Sequence, residues 1–370
     1  MSDPAAAPTA IAKNIAIKTE IVVIGAGQAG LSTAYHLVQR GLKPGAGFII
    51  LDEAPQAGGA WQFRWPSLTL STVNRIHDLP GMPFSDAVDT SAETLEAAAA
   101  VPRYFAAYEE RFGLNVARPV EVETVTERNG RFRVETDRGA FAARGLVNAT
   151  GTWTRPYIPD YPGQDRFRGR QLHTRDYQTA EAFAGKHVVI VGAGISAIQL
   201  LDEISQVTAT TWVTRRPPVF AEGPFDVEQG RAAVAQVEKR VRAGLPPNSV
   251  VSVTGLHMTP RIAAMRARGA LERQPMFAEL TETGIRWADG REQAADVILW
   301  CTGFRSALDH LAPLYLREAS GGITMTGRLA TEVAKAPRIH LVGYGPSAST
   351  IGANRAGAVA ARELMETLAL

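Results

Sequence analysis

Two short apolar runs in this chain are each followed by a glycine-rich turn and a segment with helical periodicity. Residues 20–32 are EIVVIGAGQAGLS, and residues 187–199 are HVVIVGAGISAIQ. A short β-branched run ending at a glycine predicts a buried strand, and the segment after it predicts a helix. The repetition therefore predicts two units of one kind, each a strand, a tight turn and a helix.

The apolar and polar pattern predicts further elements between and within these units. RFRVET (131–136) and FAARGLVNAT (141–150) flank turns and predict a β-meander. DVEQGRAAVAQVEKRVRAG (226–244) and TPRIAAMRARGALE (259–272) have the spacing of amphipathic helices. We expect an inserted helical region at about 219–277, which either shapes a substrate entrance or forms a surface subdomain.

These elements predict an α/β protein with two doubly wound Rossmann-like dinucleotide-binding domains. We expect the first domain to comprise residues 16–155 and to be closed by residues 303–370. A linker at 156–166 leads to the second domain, 167–302, which is inserted into the first. The Ala- and Pro-rich residues 1–15 predict a disordered tail.

Composition narrows the class of protein. The chain has 370 residues, of which 45% are hydrophobic, and its net charge of +2 implies no polyanion such as nucleic acid as partner. One cysteine, Cys301, excludes an internal disulfide and a redox-active dithiol, so we expect a reducing, cytoplasmic location. No apolar run approaches about 18 residues, so no membrane span is predicted, and no metal-ligating cluster stands out.

The two glycine turns predict dinucleotide phosphate loops. The first glycine permits the tight turn, the second lets a pyrophosphate approach the backbone, and the third position packs helix against strand. One such turn is weak evidence, because glycine turns after strands are common, but two with the right flanks are hard to explain by structure alone. The candidate residues are Gly25, Gly27, Gln28, Ala29 and Gly30 in the first loop and Gly192, Gly194, Ser196 and Ala197 in the second.

The second strand of each unit indicates which nucleotide binds there. The run GFIILDEAP ends at Asp52, whose carboxylate can accept hydrogen bonds from ribose hydroxyls; Glu53 is the neighbouring candidate, and a solvated acidic turn is the alternative. ATTWVTRRPP ends instead at Arg215 and Arg216, which suit a 2′-phosphate unless they form only a solvated basic turn. This pattern fits FAD in the first unit and NADPH in the second. It is also compatible with some use of NADH.

The stretch FRGRQLHTRDY between the loops matches the pattern FxGxxxHxxxY at Phe167, Gly169, His173 and Tyr177. With two nucleotide loops around it, this pattern resembles the flavin-containing monooxygenases, and the resemblance extends over roughly residues 18–368. Related Baeyer–Villiger enzymes usually have Trp in place of Tyr177, so the resemblance favours the branch that oxidises heteroatoms. We interpret Gly169 as a turn residue and His173 as a structural group, not a general base.

Further segments carry the same resemblance. GGAWQFRW (58–65) resembles the family's GGxW segment beside the flavin, while NATGTW (148–153) and LWCTGF (299–304) resemble its two crossings between domains. VGYGPSASTIGANRAG (342–357) resembles the strand and helix that cap the isoalloxazine. The candidate cofactor-binding residues on these segments are Gly59, Trp61, Thr150, Gly151, Thr302, Gly303, Tyr344, Ser349, Thr350 and Ile351.

The sequence departs from the family in two places. The family's asparagine near the site of oxygen reaction has only a loose counterpart in Asn74, whose spacing to the following LPGMPF differs, and a tight-turn asparagine is an equally good interpretation. The final residues ARELMETLAL (361–370) predict an ordinary helix end instead of the hydrophobic anchor of eukaryotic members.

The resemblance implies an NADPH-dependent FAD monooxygenase that uses O2 to oxygenate a small sulfide or amine through a C4a-hydroperoxyflavin. An NADPH oxidase that releases hydrogen peroxide uses the same motifs, and a Baeyer–Villiger enzyme is a further alternative. A nucleotide-sensing regulator without turnover is the non-enzymatic alternative, although a sensor needs only one bound nucleotide. A homodimer is left open.

Overall fold

The structure is a computed structural model that describes residues 16–73, 76–89, 91, 94–221, 227–248 and 256–370. The predicted tail at 1–15 and the candidate Asn74 lie outside the described residues. Within them, no helix is long and apolar enough to cross a membrane.

The helices of the described ranges are α1 (Gln28–Gln39), α2 (Ala97–Arg111), α3 (Ile195–Ile204), α4 (Val227–Arg242), α5 (Pro260–Ala267) and α6 (Thr350–Leu368). The strands are β1 (Ala16–Lys18), β2 (Ile21–Ile24), β3 (Phe48–Leu51), β4 (Val122–Arg128), β5 (Arg131–Thr136), β6 (Gly139–Ala143), β7 (Gly145–Asn148), β8 (Arg170–His173), β9 (Val188–Val191), β10 (Thr210–Thr214), β11 (Phe220–Ala221), β12 (Leu256–His257), β13 (Arg273–Pro275), β14 (Glu279–Leu280), β15 (Gly284–Arg286), β16 (Glu292–Ala294), β17 (Val297–Trp300), β18 (Met325–Thr326), β19 (Glu332–Val333) and β20 (Ala336–Leu341).

The first sheet has the order β18-β19-β20-β7-β2-β3, in which β20, β7, β2 and β3 are parallel. All four residues of β2 are buried, as expected for a parallel strand covered on both faces. Ile21 and Val23 pack with α1, α2 and α6, whereas Val22 and Ile24 pack with the sheet β1-β6-β5-β4. Both faces of β2 are therefore covered by core packing.

The second sheet has the order β13-β10-β9-β17-β8 and is parallel throughout. Strand β9 repeats the arrangement of β2, because Val188 and Ile190 pack with α3 and α5 while Val189 and Val191 pack with the antiparallel strands β14-β15-β16. The chain passes from β7 in the first sheet to β8 in the second and returns after β17. The predicted fold class, two doubly wound nucleotide-binding units, is confirmed.

The two amphipathic helices predicted within 219–277 are confirmed as α4 and α5, but they pack on different units. Ile262 and Met265 of α5 are buried against the second sheet. Val241 of α4 is buried in the core of the first sheet, and Arg242 donates a hydrogen bond of 2.9 Å to the carbonyl of Gly327. The described parts of this region therefore contact both units.

Candidate active-site cleft

A cleft of about 920 Å³ opens where β2, β3 and β7 end and α1 and α6 begin. Parallel strands bring their carboxyl ends to one edge of the sheet, so segments that are distant in sequence meet there. The predicted cofactor-binding residues that line the cleft are Gly25, Gly27, Gln28, Ala29, Asp52, Glu53, Gly59, Trp61, Thr150, Gly151, Ser349 and Thr350.

The first glycine loop has the shape that a pyrophosphate requires. Gly25 has φ +98°, and a Cβ there would lie 2.6 Å from the carbonyl oxygen of Ala149. A Cβ on Gly30 would lie 1.8 Å from the carbonyl oxygen of Gly25, so this glycine lets α1 pack against its own loop. A Cβ on Gly27 would meet no atom within 4 Å, because this position faces the open cleft. The loop therefore fits the phosphates of a dinucleotide at the α1 N-terminus.

Asp52 is held firmly beside this loop. Its side chain is 6% exposed, and its two oxygens accept hydrogen bonds of 2.8 Å from the amides of Ala26 and Ala54. Burial raises the pKa of Asp52, while the two amide hydrogen bonds oppose that rise. Because a carboxylate has about four acceptor sites, capacity remains for ribose hydroxyls. Glu53 lies next to it with an exposed side chain.

A hydrogen-bonded chain closes the cleft beside Thr150 and Gly151. His310 Nε2 lies 2.7 Å from Asn148 Oδ1, Asn148 Nδ2 donates to Thr150 Oγ1 at 2.9 Å, and Thr150 Oγ1 donates to the carbonyl of Ala307 at 2.6 Å. These donors and acceptors place the proton of His310 on Nε2, and burial lowers the pKa of His310 to about 4. His310 is therefore a neutral structural donor, and no sequence motif had pointed to it.

The segment before α6 places its predicted residues differently from one another. Ser349 caps the helix by accepting a hydrogen bond of 3.1 Å from the amide of Gly352, and both Ser349 and Thr350 line the cleft. Tyr344 is instead 6% exposed within the core of the first sheet, and the side chain of Ile351 is 50% exposed. Neither Tyr344 nor Ile351 lines the cleft.

The second glycine loop lies outside this cleft, at the end of β9. A Cβ on Gly192, which has φ +136°, would lie 2.3 Å from the carbonyl oxygen of Cys301, whereas a Cβ on Gly194 would meet nothing within 4 Å. Ala197 is buried on α3, and Ser196 is half-buried one residue before it. The open position at Gly194 and the α3 N-terminus fit a second dinucleotide phosphate.

Three arginines gather at the end of β10. Arg215 and Arg216 follow the strand and are exposed. Arg273, on the neighbouring strand β13, donates to Thr214 Oγ1 at 2.6 Å and to the Thr214 carbonyl at 3.1 Å. Sequence reasoning missed Arg273, because only the pairing of β13 with β10 brings it to this position.

The FxGxxxHxxxY stretch joins the two units. His173 is 2% exposed; its Nδ1 accepts from the amide of Arg175 at 3.1 Å, so its Nε2 donates to the carbonyl of Gly303 at 2.9 Å. A ring whose Nδ1 accepts a hydrogen bond is neutral, and burial lowers the pKa of His173 in the same sense. A Cβ on Gly169 would lie 2.5 Å from the carbonyl oxygen of Asp296. His173 therefore joins the two crossing segments by a hydrogen bond from an uncharged ring.

Other predicted residues at this junction are buried around the crossings. Phe167 packs in the core of the second sheet, and Tyr177 is 1% exposed beside α3. The hydroxyl of Thr302 donates to the carbonyl of Tyr157. Thr302 and Gly303 do not line the cleft; the aromatic ring of Phe304 does.

Comparison with known proteins agrees with this geometry. Residues 22–245 match the model of a family described as pyridine nucleotide-disulphide oxidoreductase. The structure of a flavin-containing monooxygenase from Stenotrophomonas maltophilia is 36% identical, with a TM-score of 0.79, covering 95% of this chain and 99% of that one. Indole-3-pyruvate monooxygenase YUCCA1 of Oryza sativa subsp. japonica is 27% identical over 83% of this chain and 80% of its own length. Flavin-containing monooxygenase 5 of Cavia porcellus is 28% identical over 78% and 62% respectively.

The fold and its two nucleotide loops define a flavoprotein oxidoreductase of the two-dinucleotide type. Within that class, the chain belongs to the flavin-containing monooxygenase family. It is an enzyme, and its cofactors are FAD and NADPH. The wider family's description names disulphide chemistry; this chain has one cysteine, Cys301, which is buried, so the chain has no intramolecular dithiol pair.

Proposed function

We propose that this monooxygenase transfers one atom of O2 to a soft nucleophile, a sulfide or an amine. The observation that carries the proposal is that the histidines at the cleft and at the crossing between the units already donate their Nε2 protons within the protein. His310 donates to Asn148 and His173 donates to Gly303. Neither side chain is offered as a general base, so a substrate that is already nucleophilic suits this site better than one that must first be deprotonated.

The chain's own residues hold and orient the cofactors. FAD, when bound, would supply the redox chemistry with NADPH and O2. Gly27 and the α1 N-terminus hold its pyrophosphate, and Asp52 accepts from its ribose. The N-terminus of α6, capped by Ser349, presents a partial positive charge to the cleft, which stabilises negative charge on a reduced flavin.

NADPH binds at the second loop. Gly194 and the α3 N-terminus receive its pyrophosphate, while Arg215 and Arg216 bind the 2′-phosphate. We assign residues 16–155 with 303–370 to the FAD unit and 167–302 to the NADPH unit. The strands of the first sheet come from residues 21–148 and 325–341, and those of the second from 170–300. On the strength of the single cysteine we also propose a cytoplasmic location.

Product analysis tests this function directly. The FAD-loaded enzyme receives NADPH, isotopically labelled O2 and thioanisole or a tertiary amine. We expect a sulfoxide or N-oxide carrying one labelled oxygen, with NADPH consumed in near one-to-one proportion. Conversion of every NADPH to peroxide would instead identify an oxidase, and lactone formation from a ketone alone would identify Baeyer–Villiger activity.

A further inference from the structure

A smaller pocket of about 290 Å³ opens into the cleft. It is lined by Gln62, Phe63, Arg64, Trp153, Arg175 and Gln178. Four of these residues also line the cleft, so the two spaces are continuous. The lining contains two guanidinium groups, two amides and two aromatic rings but no carboxylate, and this composition suits an anion.

Arg64 is a half-buried cation with no carboxylate partner among the described residues. Its guanidinium carbon lies 4.6 Å from the ring centroid of Trp153 and 5.9 Å from that of Trp61. Among the described residues its side chain has no hydrogen bond or ion pair, and its buried Nε has no partner. Burial lowers the pKa of Arg64 to about 10, so it stays charged at neutral pH. Partial removal of a charge from water is unfavourable, and an anionic ligand at this guanidinium would offset that cost.

Arg175, in the FxGxxxHxxxY stretch and far from Arg64 in sequence, supplies the second cation. Its backbone amide is held at 3.1 Å by Nδ1 of His173, which anchors the residue at the crossing. Its side chain is exposed and forms no ion pair within the described ranges, although its positive charge favours the ionised form of the Glu53 carboxyl. The other arginine of the cleft mouth, Arg155, is already paired with Asp309 at 2.8 Å.

Stacked aromatic rings form one wall of the pocket. The rings of Phe63 and Trp153 lie 6.1 Å apart with an interplanar angle of 8°, and those of Trp153 and Phe304 lie 5.3 Å apart at 25°. His173 meets Phe304 edge-on at 4.8 Å. Phe63 is 41% exposed, so it offers an apolar surface next to the two cations.

We propose that Arg64 and Arg175 form a binding site for an oxyanion, a carboxylate or phosphate, whose apolar part packs on Phe63. Such an anion has two sources here. It is either the carboxylate of the oxygenated substrate, which rests on the proposed function, or a phosphate of the nicotinamide dinucleotide, which would then replace part of the assignment at the second loop. A planar guanidinium binds both kinds of anion with paired hydrogen bonds.

Paired ligands that differ only in charge separate these sources. FAD-loaded wild-type, Arg64→Met, Arg64→Lys and Arg175→Gln proteins are titrated with NADP⁺, and then with thioanisole and para-(methylthio)benzoate, following the flavin absorbance spectrum. KM is measured for both thioethers. Arg291→Gln is the matched control, because Arg291 also lies over a tryptophan, at 4.9 Å from Trp287, but is exposed and paired with Asp289.

If the substrate supplies the anion, wild type binds the benzoate more tightly than thioanisole. Arg64→Met and Arg175→Gln then reduce that preference by about tenfold or more, with the Kd of NADP⁺ unchanged. If the dinucleotide supplies the anion, the Kd of NADP⁺ rises by a similar factor and the preference between thioethers does not change. In either case, Arg64→Lys should retain part of the wild-type affinity, because lysine keeps the positive charge but lacks the paired N–H donors of the guanidinium.

The proposal is overturned if the NADP⁺ affinity and the thioether preference of both variants stay within about twofold of the Arg291→Gln control. Where Arg64→Met loses FAD, the exposed Arg175→Gln carries the same comparison. Failure of the proposed function looks different, because wild type then oxygenates neither thioether while the spectral titrations still report whether the anion binds.

Discussion

The Tyr177 hydroxyl donates a hydrogen bond of 2.8 Å to Oε2 of Glu203 on α3. The Ser67 hydroxyl, on the segment that follows GGxW, donates to the same oxygen at 2.6 Å. Trp65 of that segment meets the Tyr177 ring edge-on at 5.9 Å. One carboxylate therefore ties the segment beside the flavin cleft to the helix that begins at the second nucleotide loop.

Tyr177→Phe removes one bond from this carboxylate and should loosen the alignment of the two units. Tyr108→Phe is its matched control, because the buried Tyr108 hydroxyl donates at 2.7 Å to the Pro80 carbonyl within the first unit. Both variants should lower the free energy of unfolding by about 1–3 kcal/mol. Only Tyr177→Phe should slow hydride transfer from saturating NADPH to FAD in stopped-flow absorbance. Equal rates in the two variants would contradict this role.

Gly27→Val and Gly194→Val should have reciprocal effects on cofactor binding. Both positions have ordinary backbone angles, φ −80° and −87°, and open space where a Cβ would lie. The new side chain therefore meets the bound phosphate more than the protein. Gly27→Val should purify without FAD, and Gly194→Val should keep FAD but lose tight NADPH binding. Retention of both cofactors by both variants would remove these loops from the assignment.

Arg215→Ala and Arg216→Ala should weaken the binding of NADPH but not that of NADH. Loss of a charge-assisted hydrogen bond to the 2′-phosphate costs about 1.5–3 kcal/mol, roughly ten- to a hundredfold in the KM for NADPH. Arg273→Ala should have a smaller effect, because Arg273 already donates to Thr214. Steady-state kinetics with both cofactors provide the measurement. An unchanged preference for NADPH over NADH in all three variants would show that these arginines do not bind the 2′-phosphate.

Stability should fall in mild acid because of His340. This side chain is 0% exposed, and burial lowers its pKa to about 4. Its unfolded pKa is about 6.5, so between these values the unfolded chain binds a proton that the folded protein does not. The neutral His340 ring therefore contributes on the order of 3 kcal/mol to the free energy of unfolding. This contribution is complete above pH about 6.5 and is lost as the pH falls towards about 4.

Denaturant unfolding across this pH range checks the effect. His340→Gln should show a shallower loss of unfolding free energy with falling pH than wild type, whatever its stability at neutral pH. The remaining slope includes His310, whose pKa burial also lowers to about 4. The same slope in both proteins would show that His340 does not carry the dependence.

The nucleotide-binding units could be predicted from sequence because their signals are local. A strand, its glycine turn and the helix after it occupy adjacent residues, and Gly25 or Gly192 is required by a backbone turn whose φ is positive. The ends of β3 and β10 are likewise readable, since Asp52 and Arg215 follow directly on apolar runs. Local patterns therefore determined the fold class and the two glycine turns that we propose as phosphate loops.

Only the tertiary structure decided which distant residues meet at the cleft. Arg64 lies against Trp153, and His310 against Asn148, because the order of parallel strands brings separate loops to one edge of the sheet. The same packing turns Tyr344 into the core while the nearby Ser349 faces the cleft. These contacts depend on strand order and on the crossings between units, which bring together residues that are far apart in sequence.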